Sequence, residues 1–266
     1  MLGNYRPPET HHGRGAPALR AGAHRAGHVH VPDEPGYVRT TNYLHVKRTF
    51  DLFCGVALGV LLFPVMALFS ALIVITSPGP AFYTQTRLGR FGRPFVIWKH
   101  RTMRHNCERE SGAKWSTKGD TRITFLGKIL RKLHIDEFPQ IINVLKGDMS
   151  LVGPRPERPE FFPALQASVP DYARRLLLKP GVTGMAQVYL PPDEDVESVR
   201  MKQIYDLYYV RHVGLLLDVR LLIATPLQAV GVPHFLVRPA LCLPTRRLVE
   251  LEHSLLSPTS SAVAVH

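Results

Sequence analysis

No charged residue occurs between Asp51 and Arg87, and the apolar part of that interval, LFCGVALGVLLFPVMALFSALIVI (residues 52–75), is long enough to cross a bilayer as a helix. Such a run must be covered by lipid or by a deep core, and at this length a soluble core helix is the weaker reading, so the chain is expected to attach to a membrane. Pro64 stands at the midpoint, where it removes a backbone hydrogen bond and bends the helix. Both flanks are basic, with Lys47 and Arg48 before the run and Arg87, Arg90 and Arg93 after it. The positive-inside rule describes an asymmetry, and here both ends carry the cytoplasmic sign. A re-entrant helix that bends at Pro64 and returns to the same face satisfies both features. A plain spanning helix stays equally open on these residues, because proline is tolerated in membrane helices.

The remaining composition agrees with a surface that meets anions. Lys and Arg number 33 against 21 Asp and Glu, a formal charge of +12, which favours phosphates, nucleic acid or an acidic membrane face. No nucleic-acid motif accompanies the charge, so nucleic acid is not an expected partner. The three cysteines, Cys54, Cys107 and Cys242, are widely spaced and suggest neither a disulfide framework nor a zinc site.

Residues 1–46 are rich in Pro, Gly, Arg and His and have little to bury, which reads as a disordered basic tail. Its histidines, His11, His12, His24, His28 and His30, are expected to belong to that tail rather than to a metal site. No apolar h-region or cleavage site marks the tail as a secretory signal. A second poorly ordered extension is expected over 238–266. Residues 47–80 would form the membrane helix and 81–237 the cytosolic domain.

Within that domain, AFYTQT and FVIWKH flank the glycine-bearing RLGRFGRP and read as a β-hairpin. Residues 104–120 read as a polar loop. Ile123, Leu126, Ile129, Leu130 and Leu133 recur at helical spacing, with Lys128, Arg131 and Lys132 on other faces. Further helices are expected over about 194–211 and over 215–230, the latter lying at the interface or packed on the fold because Asp218, Arg220 and Pro226 break it as a span. The fold class is therefore α+β, mainly helical, with one Pro-bent membrane helix, amphipathic interface helices and a small hairpin.

LHIDEFPQ (133–140) places Asp136 and Glu137 before a helical run of Phe138, Ile141, Ile142 and Leu145, which Gly147 is placed to end. Pro139 is tolerated in the first turn. The acids would stand at a helix N-terminus, where a cap and a phosphate are equally welcome. Adjacent positions on a helix do not face each other, so the two carboxylates are suited to different tasks. Downstream, GPRPE presents Arg155 from a proline-locked turn and KPGVTG presents Lys179.

The succession KRTFDL, the Pro-centred apolar segment, SPGPAFYTQTRLGRFGRPFVIWKHRTM, LRKLHIDEFPQIINVLKGDMSLVGPRPE and KPGVTGMAQV resembles the bacterial sugar transferases, the monotopic phosphoglycosyl transferases that start glycan assembly on a polyprenyl phosphate. The likeness covers about residues 47–230. It implies transfer of a sugar-1-phosphate from a UDP-sugar to undecaprenyl phosphate with release of UMP, a re-entrant helix, and an inner (cytoplasmic) membrane location with the catalytic domain facing the cytoplasm. Downstream glycosyltransferases are implied as further partners. By the same resemblance Asp136 is the nucleophile that forms an aspartyl-phosphate-sugar intermediate, and Glu137, with Asp136, holds Mg²⁺. Arg101, Arg131, Arg155 and Lys179 match basic positions expected to bind phosphate, and Asp148 and Gln187 match supporting positions. The chemistry is sound: an Asp is already ionised near neutral pH, and Mg²⁺ with basic side chains screens the approach of two anions.

Departures accompany the likeness. Phe63 precedes Pro64 where many relatives have Ser, His100 replaces an aromatic residue, and AQVYLPPDED replaces AQVNGR near the expected sugar or nucleotide site. The large relatives carry a preceding bundle of membrane helices, so this chain resembles the minimal catalytic form. The competing expectation is a catalytically inactive membrane adaptor that binds polyprenyl phosphate or partner glycosyltransferases.

Overall fold

The computed structural model describes residues 37–38, 41–107, 119–191 and 195–256. The apolar run forms one long helix, α1 (Thr41–Thr76), with Pro64 inside it. It begins before the expected boundary at residue 47, because Tyr43 and Leu44 find distant partners: both pack on the main core, and the Tyr43 hydroxyl donates to Asp218 at 2.8 Å. The expected tail over residues 1–46 therefore overlaps this helix, and its histidines up to His30 lie outside the described residues.

The hairpin is present: β1 (Phe82–Leu88) pairs antiparallel with β2 (Pro94–His100), from Phe82 opposite His100 to Leu88 opposite Pro94. Next comes α2 (Phe125–Lys132), capped by Thr124, whose hydroxyl accepts from the Gly127 amide at 2.9 Å. Its apolar positions divide: Leu126 and Leu130 turn inward, whereas Phe125, Ile129 and Leu133 are exposed. A 3₁₀ turn, Ile135–Gln140, leads into α3 (Ile141–Lys146). Gly147 ends it as expected, at φ 90°, donating to the carbonyls of Asn143 and Val144.

Then follow β3 (Ser150–Val152), α4 (Phe162–Ser168), β4 (Gly181–Thr183) and α5 (Met185–Tyr189). β3 and β4 form a short parallel pair that local patterning does not reveal. α6 (Val196–His212) opens with a capping box between Asp195 and Ser198. α7 (Leu215–Ala229) packs on the fold through Asp218, which is 0% exposed and bonds Lys47, Tyr43 and Tyr209.

The extension expected from residue 238 is instead partly helical. α8 (His234–Ala240) docks through the buried Val237 and α9 (Arg246–Leu256) through the fully buried Val249, and Glu252 accepts from Arg211 Nε at 2.8 Å and pairs with His212. Tyr189 donates to the Pro244 carbonyl at 2.6 Å. These partners lie some 40 to 55 residues upstream, beyond the reach of local pattern.

The same domain contacts α1 along its whole length. Near its start, Lys47 pairs with Asp218, Arg48 donates to the Val144 and Leu145 carbonyls, and Asp51 accepts from Ser150 and Leu151. Gly55 and Gly59 let the helix run close to Val144, Leu145 and Ile141. Beyond Pro64, Val65, Phe69 and Ile73 pack with Leu130, Ile135 and Phe138. The other face of α1 is exposed and apolar, with Phe53, Val60, Leu61 and Phe63 on it.

Candidate active site

Asp136 and Glu137 lie inside the 3₁₀ turn, ahead of α3 rather than at its cap. His134 makes this arrangement: its left-handed backbone, φ 56°, turns the chain sharply out of α2. His100 then clamps the turn. Its Nδ1 donates to the Ile135 carbonyl at 3.1 Å, and its Nε2 pairs with the Ser70 hydroxyl of α1 at 3.2 Å. The residue that departs from the usual aromatic thus ties the long helix to the residue before Asp136.

The two carboxylates have different surroundings. Glu137 Oε1 accepts from Lys99 Nζ and from Arg155 Nη2, each at 2.8 Å. Burial works to raise its carboxyl, but the charges and hydrogen bonds of Arg155 and Lys99 outweigh it and hold the group well below the usual carboxylate range. Asp136, 9% exposed, has no side-chain hydrogen bond among the described residues. Burial, and then the Glu137 charge, push its carboxyl upward, while Lys99, Arg131 and Arg155 oppose them. One acid is therefore locked in place, and its neighbour is left without a fixed partner inside a ring of cations.

The ring is built from three elements. Lys99 comes from β2, where strand alternation sets it on the same face as the buried Ile97. A lysine on the inner face of a strand was the signal available for this residue, which motif reading passed over. Arg131 comes from α2 and donates through Nε to the Thr102 hydroxyl at 2.9 Å. Arg155 stands on the 153–157 turn, which is stitched down by Gly153 N to Thr183 O, Gly181 N to Pro154 O, and Arg175 Nη2 to the Arg155 carbonyl. Arg175 is itself paired with Asp206 at 2.6 Å.

The other expected residues lie elsewhere. Arg101 donates to the Ser77 and Pro78 carbonyls at 2.6 and 2.7 Å, clasping the turn after α1. Lys179 is gathered with Arg48, Arg90, Asp51 and Asp148 at the far end of α3; burial, then Arg48, lower its ammonium pKa. Asp148 accepts weakly from Asn143 at 3.4 Å, and Gln187 donates to the Val182 carbonyl at 3.1 Å. Among the described residues no hydrogen bond joins Lys179, Asp148 or Gln187 to the acidic pair, and none of them ranks among the strongest charges on it.

Among the described residues no three His, Cys, Asp or Glu side chains converge as a metal cluster. Mg²⁺ commonly takes only one or two carboxylates and fills its shell with water and phosphate oxygens, so two adjacent carboxylates are compatible with such an ion.

The family model described as bacterial sugar transferase matches residues 42–231. The chain belongs to that family. The chain is similar to the UDP-N-acetylgalactosamine-undecaprenyl-phosphate N-acetylgalactosaminephosphotransferase of Aeromonas hydrophila, 39% identical over 198 residues, covering 74% of this chain and 47% of the relative. A putative undecaprenyl-phosphate N-acetylgalactosaminyl 1-phosphate transferase of Bacillus subtilis is 48% identical over 139 residues, 52% of this chain and 76% of the relative. The UDP-glucose:undecaprenyl-phosphate glucose-1-phosphate transferase of Caulobacter vibrioides is 41% identical, with 67% of each chain covered. The chain thus spans about half of the Aeromonas relative and larger shares of the other two. The acidic pair, its three cations and the helix that His100 clamps all fall within the family region.

Proposed function

We propose that this sugar transferase moves a sugar-1-phosphate from a UDP-sugar to undecaprenyl phosphate in two displacements. Asp136 Oδ attacks the sugar-bearing phosphorus, the phosphoanhydride bond breaks, and UMP leaves with the electron pair. A phosphate oxygen of undecaprenyl phosphate then attacks the aspartyl phosphate, freeing the Asp136 carboxylate and forming the undecaprenyl diphosphate sugar. The observation that carries this reading is the contrast between Glu137, held by two cations, and Asp136, which has no hydrogen-bond partner among the described residues. A carboxylate without a hydrogen-bond partner keeps its lone pairs for attack.

Lys99, Arg131 and Arg155 offset the repulsion between a carboxylate and a diphosphate. Arg155, whose side chain is 42% exposed, has the access to reach a phosphate from its Glu137 contact. Asp136 and Glu137 would hold Mg²⁺ together with the substrate phosphates, and the ion would neutralise charge on the substrate diphosphate and on the departing UMP. The names of the relatives divide between N-acetylgalactosamine and glucose, so they support the phosphate chemistry and leave the sugar to experiment.

For the membrane, we read α1 as re-entrant. A helix of 36 residues is about 54 Å long, more than the ~30 Å of a hydrocarbon core, yet both of its ends are tied to one folded domain. A spanning helix would part those ends across the bilayer. The inner membrane with the domain in the cytoplasm, where UDP-sugars are made, completes the reading, and downstream glycosyltransferases would take the product. The test is solubilised protein with a panel of UDP-sugars, undecaprenyl phosphate and Mg²⁺, scored for UMP. Release that Asp136→Asn abolishes supports the reading, and an Asp136→Asn variant as active as the parent sinks it.

A further inference from the structure

A cavity of about 530 Å³ opens where α1 ends, and none of the acidic pair lines it. Its lining brings together Thr76, Ser77 and Pro78 at the end of α1, Ile123, Thr124 and Phe125 at the start of α2, and Arg104 and His105. Arg104 and His105 are exposed, and neither makes a side-chain hydrogen bond or ion pair among the described residues. Arg101 shapes the cavity from behind by holding the Ser77 and Pro78 carbonyls. Gly79 makes that possible: at φ 116° a Cβ there would lie 2.1 Å from Arg101 Nη1.

The apolar part of the lining does not stop at the rim. Phe125, 81% exposed, begins a stripe that continues through Ile129 and Leu133 at i+4 and i+8. Val74 and Ile75 at the end of α1 add exposed apolar surface. The start of α2 leads from the cavity toward the acidic pair: Thr124 N bonds the Thr102 carbonyl, Arg131 bonds the Thr102 hydroxyl, and the Arg131 charge acts on Asp136. A free cationic rim joined to a continuous apolar stripe suits an amphiphile with one anionic end. The volume suits a phosphate with a few isoprene units.

We propose that this cavity docks the lipid acceptor, an isoprenyl phosphate monoester, ahead of transfer, with its phosphate first held between Arg104 and His105, from where it passes to Asp136 for the attack, and its chain along Phe125, Ile129 and Leu133. This assignment rests on the transferase reading above and adds the place of its second substrate.

A diazirine-bearing isoprenyl phosphate, photolysed with the full chain in detergent, tests it. Label is expected on the peptide containing Ile123 and Phe125, competed by farnesyl phosphate and spared by farnesol or inorganic phosphate at equal concentration. Arg104→Glu and Phe125→Glu, at exposed positions, should retain the parental melting curve, lower labelling about tenfold and raise KM for the acceptor about tenfold, with KM for the UDP-sugar within about twofold. Label elsewhere, equal competition by phosphatidylglycerol, or variants labelled like the parent would overturn the assignment. Label in the cavity of a wild-type protein that releases no UMP would refute the transferase reading alone. Full turnover with acceptor KM unmoved in both variants would refute the cavity alone.

Discussion

Arg155 and Lys99 converge on a single oxygen, Glu137 Oε1, at 2.8 Å each, although they come from a turn and a strand more than fifty residues apart. Losing one of them has different consequences. Arg155 is partly exposed, so Arg155→Ala should leave the fold intact and lower kcat/KM for the UDP-sugar by about 10- to 100-fold, the scale of one charge-assisted hydrogen bond. Lys99 is largely buried, and Lys99→Met should cost about 3–5 kcal/mol of stability because Glu137 keeps its charge without its inner partner. Steady-state kinetics beside urea unfolding separates the two outcomes.

Arg101 is assigned by geometry to the architecture of the turn after α1, where both terminal nitrogens meet backbone carbonyls. Arg101→Ala should therefore lower the melting temperature and loosen the end of α1, seen as faster amide exchange over residues 73–80. Gly79→Ala should reproduce that phenotype, since it adds a Cβ at positive φ against the guanidinium. Loss of UDP-sugar affinity at unchanged stability would instead return Arg101 to the phosphate-binding group.

Much of this was legible in the sequence. The apolar run, the hairpin and the Gly147 stop are local signals, and each is found where pattern placed it, whereas the paired acids fall in a 3₁₀ turn ahead of the expected helix. The grouping of the cations was not legible. Arg131 and Arg155 join the acids, whereas Arg101 and Lys179 go to the two ends of the α1 packing seam, because long-range contacts decide which basic residue meets which acid. The early start of α1 and the docking of α9 were hidden for the same reason: Tyr43 and Glu252 acquire meaning only through Asp218 and Arg211.

Glu252 makes α9 docking sensitive to acid. Burial raises its carboxyl, but hydrogen bonds from His212 and Arg211 outweigh it, so the folded pKa lies below the ordinary 4.5. A depressed carboxylate contributes its full stability above the unfolded value and loses it as pH falls through the folded one. Amide exchange of residues 246–256 should be unchanged between pH 7 and 5 after correction for intrinsic rates, and should accelerate below about pH 4.5. Glu252→Gln should show the accelerated exchange already at pH 7.

The pairing of Lys47 with Asp218 anchors the start of α1 with almost no solvent contact. Asp218→Ala should cost about 3–5 kcal/mol by stranding the Lys47 charge, and proteolysis should then cut near residue 41 first. Lys47→Met with Asp218→Leu should recover part of that loss, because no charge is then stranded, while the Tyr43 and Tyr209 hydroxyls still lose their shared acceptor.

The central claim is that Asp136 carries the sugar phosphate between donor and acceptor. Protein incubated with a competent UDP-sugar and Mg²⁺, without acceptor, should release UMP up to one equivalent, and acid-quenched intact mass should rise by one sugar phosphate. Peptide mapping should place that mass on Asp136, and undecaprenyl phosphate added before the quench should remove it. UMP release that requires the acceptor, with no mass gained at any time point, would contradict the covalent route and leave a direct transfer in its place.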